Sequence, residues 1–518
     1  MIDTVRADLR RRAGAIAPHL LFVALLAFNV MRTLHHAMWR DEMQVFLFSA
    51  DRPTLPELFR SLAYEPHTDL WHVLVWLAAR LSNDPVSMQV VHIALATAVW
   101  LLVWFASPFR IVDKILLLLS YFLFWEYFVI SRNYVLVALF GFAVIAARSL
   151  RPRAALLPFA LLGALANTMV LGTIWSMVMA ARLMLEADGP LRDRIAGVTI
   201  YLVCLAAAFS SIVAPADAAP YGIHLRFDPA HISGLAAIPA GAMFPVSAQG
   251  VLDTIRLLLS PHGATPPQFW NPNPVNQILS VAGGGPAHAL AIIGFFLLPA
   301  LLCSLIVRDW RLTVEFSLSY LGLLAFAALW DFPGAARHHG IVFLVFVGTV
   351  WMAAARGALA GWREASWRGL LVISACGGLL TLTSELRPFS NGRATAEWLQ
   401  RHRLADAFIM GSRDTAVSTI SGYLRRPVYY LECECFGRFI VWNTRRTLSV
   451  DAPEIVSRAQ IALAANRGGD AILIVNRMIA PEEARLNAPN LTLTLLQSFT
   501  GAVEETENYF VFRASLSR

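Results

Sequence analysis

A series of long apolar stretches, separated by shorter polar segments, makes up most of the chain before residue 387. About eleven of them approach the length of about 20 residues that a helix needs to cross a bilayer. They lie near 18–36, 86–107, 112–130, 133–148, 154–170, 172–187, 195–214, 288–307, 312–330, 339–355 and 368–384. The chain is 57% hydrophobic and only 15% charged, whereas soluble domains are about 45–50% apolar and about 25% charged. The sequence therefore predicts an all-α polytopic membrane domain of about eleven transmembrane helices over residues 1–386.

Basic residues predict the orientation of these helices. With eleven spans, the basic connections all fall on one side, which the positive-inside rule makes cytoplasmic. They contain Arg6, Arg10, Arg11, Arg12, Arg110, Lys114, Arg148, Arg151, Arg153, Arg192, Arg194, Arg308, Arg311, Arg356, Arg363 and Arg368. The net charge of +7 is then a property of cytoplasmic loops, and no nucleic-acid partner is expected. The N-terminus is basic, but no small-x-small cleavage site follows the first apolar run, so we expect an uncleaved, multi-pass chain.

This topology places three long segments outside the cytoplasm: 37–85, 215–287 and the C-terminal segment 387–518. The second is rich in proline and glycine, and we expect a surface helix near 251–259 and a lid containing Phe269 and Trp270. In the third, the pattern predicts helices near 394–402, 415–424 and 454–465. It predicts strands near 408–410, 428–431, 471–475 and 509–512. Alternating helices and strands indicate a small extracytoplasmic α/β domain.

The five cysteines indicate no metal site. Cys204, Cys303 and Cys376 lie in apolar runs, where cysteine is usually a small core residue. Cys433 and Cys435 are separated by one residue, a spacing too close for an ordinary disulfide or, by itself, for a four-ligand zinc set.

Polar clusters occur at several predicted outer ends of the apolar stretches. Two adjacent acids follow the first stretch directly, and a carboxylate in the centre of the hydrocarbon costs about 2.5–3.5 kcal/mol. The clusters are Arg40-Asp41-Glu42, Glu65-Pro66-His67, Glu126-Tyr127 with Ser131-Arg132-Asn133-Tyr134, and Arg337-His338-His339. Any one of them alone is adequately explained as a solvated helix end. Several on one side, mixing acids with arginine and histidine, indicate a polar cavity at the outer face.

Such a mixture suits glycosyl transfer from a lipid phosphate. A carboxylate can orient the acceptor nucleophile or take its proton. Cations stabilise the charge that develops on the leaving phosphate, and the planar fork of arginine can bind two phosphate oxygens.

Three motifs carry a resemblance to a known superfamily. They are Trp39-Arg40-Asp41-Glu42 after the first span, Glu65-Pro66-His67-Thr68-Asp69-Leu70, and Ser131-Arg132-Asn133-Tyr134. The second resembles a degenerate His-Pro-Pro-Leu segment and the third a Ser-Arg-x-Tyr element. In this order, they resemble the GT-C integral-membrane glycosyltransferases, in the branch of protein O-mannosyltransferases and lipid A aminoarabinose transferases (glycosyltransferase family 39-like). The resemblance covers roughly residues 15–150, and the later spans only through topology and the Arg337-His338 position. The chain departs from the pattern at Thr68-Asp69, where the Pro-Pro pair would stand.

The resemblance implies a polyprenyl-phosphate sugar donor, a lipid, glycan or protein acceptor, and neither cofactor nor catalytic metal. Asp41 is then the catalytic base, with Glu42 orienting it or contacting the acceptor. The residues expected to bind the donor phosphate or substrate are Arg40, Glu65, His67, Arg132, Tyr134, Arg337 and His338. The implied activity is an inverting transfer at the outer face of a bacterial inner membrane.

Two other functions are open at this stage. A transporter or flippase of lipid-linked sugars usually shows repeated halves and broken spans near the midplane, and the sequence shows neither clearly. A scaffold or sensor with a partner-binding outer domain leaves the acid and arginine clusters without a role.

Overall fold

The computed structural model describes residues 2–65, 68–150, 156–186, 190–218, 228–260, 267–272, 274–275, 278–279, 285–466 and 469–516. The chain divides into two compact units. The first comprises Met1–His35, His92–Ser210 and Gly222–Thr383, and the second comprises His36–Val91, Ser211–Tyr221 and Ser384–Arg518. The segment 37–85, which the sequence analysis attached to the membrane domain, thus belongs to the same unit as the C-terminal domain.

Among the described residues before 387, helices account for nearly all the regular structure. In chain order they are α1 (Ile2–His35), α2 (Arg40–Ala50), α3 (Leu55–Leu62), α4 (Leu70–Leu81), α5 (Val86–Leu101), α6 (Ile111–Leu118), α7 (Tyr134–Leu150), α8 (Leu156–Ala166), α9 (Val170–Glu186), α10 (Leu191–Ser211), α11 (Pro229–Met243), α12 (Ala248–Leu259), α13 (Pro286–Ile306), α14 (Trp310–Leu329), α15 (Ala336–Ala355) and α16 (Trp362–Leu380). Two π-helical turns, Leu102–Ala106 and Tyr121–Glu126, and a 3-10 segment, Thr381–Leu386, complete this part.

Seven of the helical segments in the described ranges are long and apolar enough to cross a membrane. They are Ile16–His35, Val86–Ala106, Leu191–Ser211, Pro286–Ile306, Trp310–Leu329, Ala336–Ala355 and Trp362–Leu386. The helices α11 and α12 pass the same criterion as one span bent by 54°. The predicted multi-pass helical domain is confirmed, but these criteria give seven or eight spans rather than eleven.

The difference arises between residues 111 and 186, where apolar runs form short or interrupted helices. The run predicted as one span at 112–130 is interrupted, because α6 ends at Leu118 and a π-helical turn follows. The hydroxyl of Ser120 caps that turn by accepting a hydrogen bond from the Leu123 amide. Run length alone does not reveal such a break, since the side chains on both sides of it are apolar.

The segment 215–287 is more helical than predicted. Besides α12, which coincides with the expected surface helix, it contains α11, which the carboxylate of Asp228 caps by accepting from the His231 amide at 3.0 Å. Ala236, Ala237 and Ala240 of α11 are buried with Phe295 of α13 in one apolar cluster. The sequence prediction missed α11 because Pro239 and the small residues around it are typical of a loop.

Helix α15 lies at the centre of the first unit. Its residues from Ile341 to Ala353 are buried without interruption, and it packs against α7, α11 and α14. A helix that is apolar all round is stable only when surrounded. Its first turn therefore holds Arg337 and His338 in a fixed place within this unit.

The C-terminal domain is built on a six-stranded sheet. Its elements are α17 (Gly392–Arg401), β1 (Phe408–Ser412), α18 (Asp414–Leu424), β2 (Val428–Tyr430), β3 (Cys435–Gly437), α19 (Ala452–Ala465), β4 (Ala471–Val475), α20 (Pro481–Asn487), β5 (Leu491–Phe499) and β6 (Tyr509–Leu516). The strand order is β3-β2-β1-β4-β6-β5, with β1 parallel to β2 and β4 and the other pairs antiparallel. Strand β4 is buried throughout, as expected for a strand covered on both faces. The predicted α/β domain is confirmed, with β3 and β5 added.

One expectation about cysteine is wrong. Cys433 and Cys435 form a disulfide between β2 and β3. The intervening Glu434 adopts a left-handed backbone conformation with φ of 51°, and the two Cα atoms are 5.2 Å apart. The argument from spacing failed because it assumed an extended backbone between the two cysteines.

Candidate functional site

The sequence motif at residues 39–42 forms the start of helix α2 in the second unit. Trp39 precedes the helix with extended backbone angles, φ −103° and ψ 178°. The carboxylate of Glu42 accepts hydrogen bonds from the Trp39 amide at 3.3 Å and from Nε2 of His36 at 2.8 Å. Glu42 is fully buried. It therefore holds the turn that leads into the helix, as the acid of a capping box does.

Asp41 lies in a different environment although it is adjacent in sequence. A quarter of its side chain, 25%, is exposed, and its Oδ1 lies 3.9 Å from Nε of Arg40. The first turn of a helix favours a negative charge because the backbone amides point toward it. Of the two acids that the sequence analysis singled out, Asp41 is thus the one that solvent or a ligand can reach.

Arg40 is tied to the C-terminal domain through both its backbone and its side chain. Its amide donates to Oε1 of Glu507 at 2.8 Å, and its Nη1 donates to Oγ1 of Thr506 at 2.9 Å. The guanidinium also lies over the ring of Trp39, 5.4 Å from its centroid. These contacts leave 27% of the side chain exposed.

The remaining face of α2 is buried among apolar side chains of the second unit. Met43, Phe46, Leu47 and Phe48 are at most 1% exposed, and α2 packs against α4 and α18. This face anchors the helix, so the partly exposed side chains of Arg40 and Asp41 on its first turn have a rigid support.

Glu65 belongs to the second predicted cluster, Glu65-Pro66-His67. Nε2 of Gln44 donates to Oε1 of Glu65 at 2.7 Å and to the carbonyl of Ile440 at 2.8 Å. Glu65 is therefore linked to α2, whereas His67 lies outside the described residues. Asp69, at the departure from the Pro-Pro pattern, directly precedes α4, and burial raises its pKa to about 6.

In the first unit, the structure brings Tyr134 and the start of α15 together. The hydroxyl of Tyr134 lies 2.9 Å from Nε2 of His338, and the hydroxyl of Tyr127 donates to the carbonyl of Arg337 at 2.8 Å. The rings of Tyr127 and Tyr134 stack with an interplanar angle of 15°. Two clusters that are about 200 residues apart in sequence thus form one polar group.

The hydrogen bonds of His338 determine where its proton lies. The amide of Ala335 donates to Nδ1 at 3.0 Å, so Nδ1 is unprotonated. The neutral ring then carries its proton on Nε2 and donates it to Tyr134. The hydroxyl hydrogen of Tyr134 can in turn be donated to another oxygen, which makes this pair a hydrogen-bond donor.

Arg132 lies in the same segment of the first unit and is only 6% exposed. The segment is anchored by Asn133, whose Nδ2 donates to the carbonyl of Thr168 at 3.1 Å. Nearby in sequence, Glu126 is 1% exposed and accepts from the hydroxyl of Tyr121 at 3.2 Å. The predicted lid residue Phe269 is buried. Its ring meets the Trp125 ring edge-on, with the two ring centroids 5.5 Å apart.

Two residues with a direct part in this geometry were missed by sequence reasoning. His36 belongs to none of the polar clusters that the sequence indicated, yet its Nε2 bonds to the carboxylate of Glu42. Glu507 lies in no motif, and no local pattern connects it with Arg40, 467 residues earlier. Across the described ranges, no group of three or more His, Cys, Asp or Glu side chains is arranged to hold a metal ion.

No family model matches the sequence, and no curated protein matches it. Among solved structures, the chain is similar to the crystal structure of ArnT from Cupriavidus metallidurans in the apo state. The sequence identity is 13%, the match covers 96% of this chain and 98% of that chain, and the TM-score is 0.43. The proposal for function therefore rests on the residues of this chain.

Proposed function

We propose that the protein is a membrane glycosyltransferase that transfers a sugar from a polyprenyl phosphate to a lipid, glycan or protein acceptor. The reaction takes place at the outer face of a bacterial inner membrane and inverts the anomeric centre. The observation that carries the proposal is the division of roles between two adjacent acids. Glu42 is buried and holds the turn, while Asp41 keeps an accessible carboxylate beside Arg40 on the first turn of α2.

In this reaction Asp41 acts as the general base. It takes the proton of the acceptor hydroxyl as the acceptor oxygen forms a bond to the anomeric carbon. The bond between that carbon and the phosphate oxygen breaks on the opposite face, and polyprenyl phosphate leaves with the electron pair. Glu42 positions the turn and does not itself exchange the proton.

The residues of the first unit keep the donor-binding role that the resemblance implies. Arg132 and Arg337 are suited to the leaving phosphate because a guanidinium can donate to two of its oxygens. The Tyr134–His338 pair supplies an uncharged hydrogen-bond donor for another oxygen of the polyprenyl-phosphate sugar. These interactions stabilise charge that grows only as the glycosidic bond breaks, so they lower the barrier rather than merely improve binding.

A flippase or transporter of lipid-linked sugars is the second candidate. The observation in its favour is the pair α11–α12, which forms a span bent by 54° and carries Pro239. Helices broken within the bilayer are typical of transporters. A flippase moves the intact lipid across the bilayer, whereas a glycosyltransferase releases polyprenyl phosphate, and this chemical difference separates the two functions.

The test is a transfer assay with the full chain in lipid nanodiscs and a panel of polyprenyl-phosphate sugars, following release of polyprenyl phosphate. Asp41→Asn should bind donor normally but transfer roughly 10²–10⁴-fold more slowly, the usual loss when a general base is removed. Asp406→Asn is the matched control, because this aspartate is fully exposed in the same unit. Transfer by Asp41→Asn at the wild-type rate would remove Asp41 as the base. Loss of donor binding together with transfer would assign it to the donor instead.

A further inference from the structure

The first turn of α2 is completed by a residue from the far end of the chain. The first amides of a helix have no partners within the helix and need acceptors from elsewhere. Trp39 precedes the helix and its side chain provides no cap. The amide of Arg40 instead donates to the Glu507 carboxyl at 2.8 Å.

Glu507 is held firmly enough to serve this purpose. It is completely buried. Its Oε2 accepts from the hydroxyl of Ser390 at 2.7 Å and lies 2.8 Å from the hydroxyl of Tyr509. Oε1 also accepts from the hydroxyl of Thr419 at 3.4 Å. The backbone carbonyl of Glu507 accepts from the Asn391 amide at 3.2 Å. Its carboxyl is therefore fixed from three separate segments of the domain.

Counting hydrogens identifies the protonation state that fits this arrangement. The Tyr509 hydroxyl lies 2.8 Å from both the Ala416 carbonyl and Oε2 of Glu507, yet it has one hydrogen to donate. If Tyr509 donates to Ala416, its short contact with Glu507 needs a proton on Glu507. Burial raises the pKa of Glu507 to about 7, so the protonated carboxyl is well populated near neutral pH, and its Oε1 can still accept from the Arg40 amide. The charged or titratable groups that face it are Arg40 from α2 and Tyr509 from β6.

We propose that Glu507 is a positioning residue for Asp41. It caps helix α2 through the Arg40 amide, and thereby holds the next residue, Asp41, in a fixed place on the first turn. The neighbouring Thr506 reinforces this by accepting from the Arg40 guanidinium. The importance of this placement for catalysis rests on the proposed function, whereas the cap itself does not.

Hydrogen–deuterium exchange on the full chain in nanodiscs tests the cap. In Glu507→Ala the amides of Arg40 and Asp41 should exchange roughly tenfold faster, which is the order of magnitude expected for loss of one helix cap. Glu507→Gln should exchange near the wild-type rate, because its carbonyl oxygen accepts the same amide. Its NH₂ group has two hydrogens and can donate to the oxygens of both Tyr509 and Ser390, so that the Ser390 hydroxyl accepts where it donated before. Glu505→Ala is the matched control, since Glu505 is exposed on the same 3-10 turn. If Glu507→Ala does not fold, Glu507→Asp, which withdraws the acceptor by one methylene, should also show the faster exchange.

The kinetic test is a separation of kcat from KM in the transfer assay with polyprenyl-phosphate sugar. Glu507→Ala should lower kcat about as many fold as it accelerates exchange, with the donor KM unchanged, and Glu507→Gln should restore kcat. Wild-type exchange in Glu507→Ala, or exchange in Glu507→Gln as fast as in Glu507→Ala, would overturn the proposal. A kcat that does not follow the exchange rates would likewise overturn it. If the wild-type chain transfers no sugar at all, the proposed function fails, and the exchange rates alone decide whether Glu507 caps α2.

Discussion

At the residue scale, two neighbouring carboxylates have different surroundings, and the proposed reaction depends on this difference. Successive residues on a helix point about 100° apart, so Glu42 faces inward to His36 while Asp41 faces the surface. The sequence identified Asp41 and Glu42 as candidate site residues, because two acids after an apolar run are costly to place in lipid. It could not separate them, because which of the two faces inward depends on where the helix starts and on what packs beside it.

This separation predicts unequal effects of the two substitutions on the free energy of unfolding. Glu42→Ala leaves the Trp39 amide and His36 without their buried acceptor, and a lost buried hydrogen-bond partner costs about 1–3 kcal/mol. Asp41→Ala removes a partly exposed carboxylate from the first helical turn and should cost less, about 0.3–1 kcal/mol, the usual contribution of a negative charge at that position. Thermal unfolding of both variants in the same detergent measures the difference. A larger loss in Asp41→Ala than in Glu42→Ala would contradict the assignment of Glu42 to structure.

The other candidate residues show the same limit of sequence reasoning. Motifs identified Tyr134 and His338 separately, but their contact joins positions 204 residues apart. Glu507 was missed altogether, because a single glutamate in a domain of ordinary composition carries no signal. Contacts of this kind arise from the tertiary fold.

At the element scale, helix α16 shows how closely the helices of the first unit approach. A side chain at Gly377 or Gly378 would overlap the backbone carbonyls of Pro245 and Leu119, respectively. Small residues at such positions let membrane helices pack through backbone contact. Neither carbonyl can move without moving its own segment.

Gly378→Ala should therefore destabilise the first unit by about 1–3 kcal/mol, the usual cost of overpacking. Gly369→Ala is the matched control on the same helix, since a methyl group there would meet nothing within 4 Å. It should be neutral or slightly stabilising, because alanine is the better helix former. Unfolding midpoints in detergent measure both variants, and equal midpoints for the two would refute the close packing.

Elements whose apolar residues recur at a regular spacing were predictable from the sequence. Elements whose ends depend on a single polar contact were not. The strand β4 and the helix α19 follow directly from their apolar patterns. The break after α6 depends on the Ser120 hydroxyl, and the start of α11 depends on the Asp228 carboxylate. Both residues are inconspicuous in a sequence in which hydropathy dominates.

At the scale of the whole molecule, the C-terminal domain includes more of the chain than composition suggests. The change in composition near residue 387 marks where soluble sequence begins, but the unit also contains His36–Val91 and Ser211–Tyr221. Within it, the hydroxyl of Tyr423 accepts from the Met38 amide at 3.0 Å, and Arg393 donates to the His36 carbonyl at 3.0 Å. Asp51 forms an ion pair with Arg438. The domain is thus a direct support for the segment that carries Asp41.

The most direct test of the proposed transfer is mass spectrometry of the envelope lipids, glycans and glycoproteins of the source organism. Three strains are compared, which carry the wild-type gene, a deletion, or Asp41→Asn expressed at the wild-type level. The account predicts one glycosylated species that is present with the wild-type gene and absent from both other strains, with its sugar retained on polyprenyl phosphate. An unchanged set of glycosylated species in the deletion strain, or full restoration by Asp41→Asn, would contradict it.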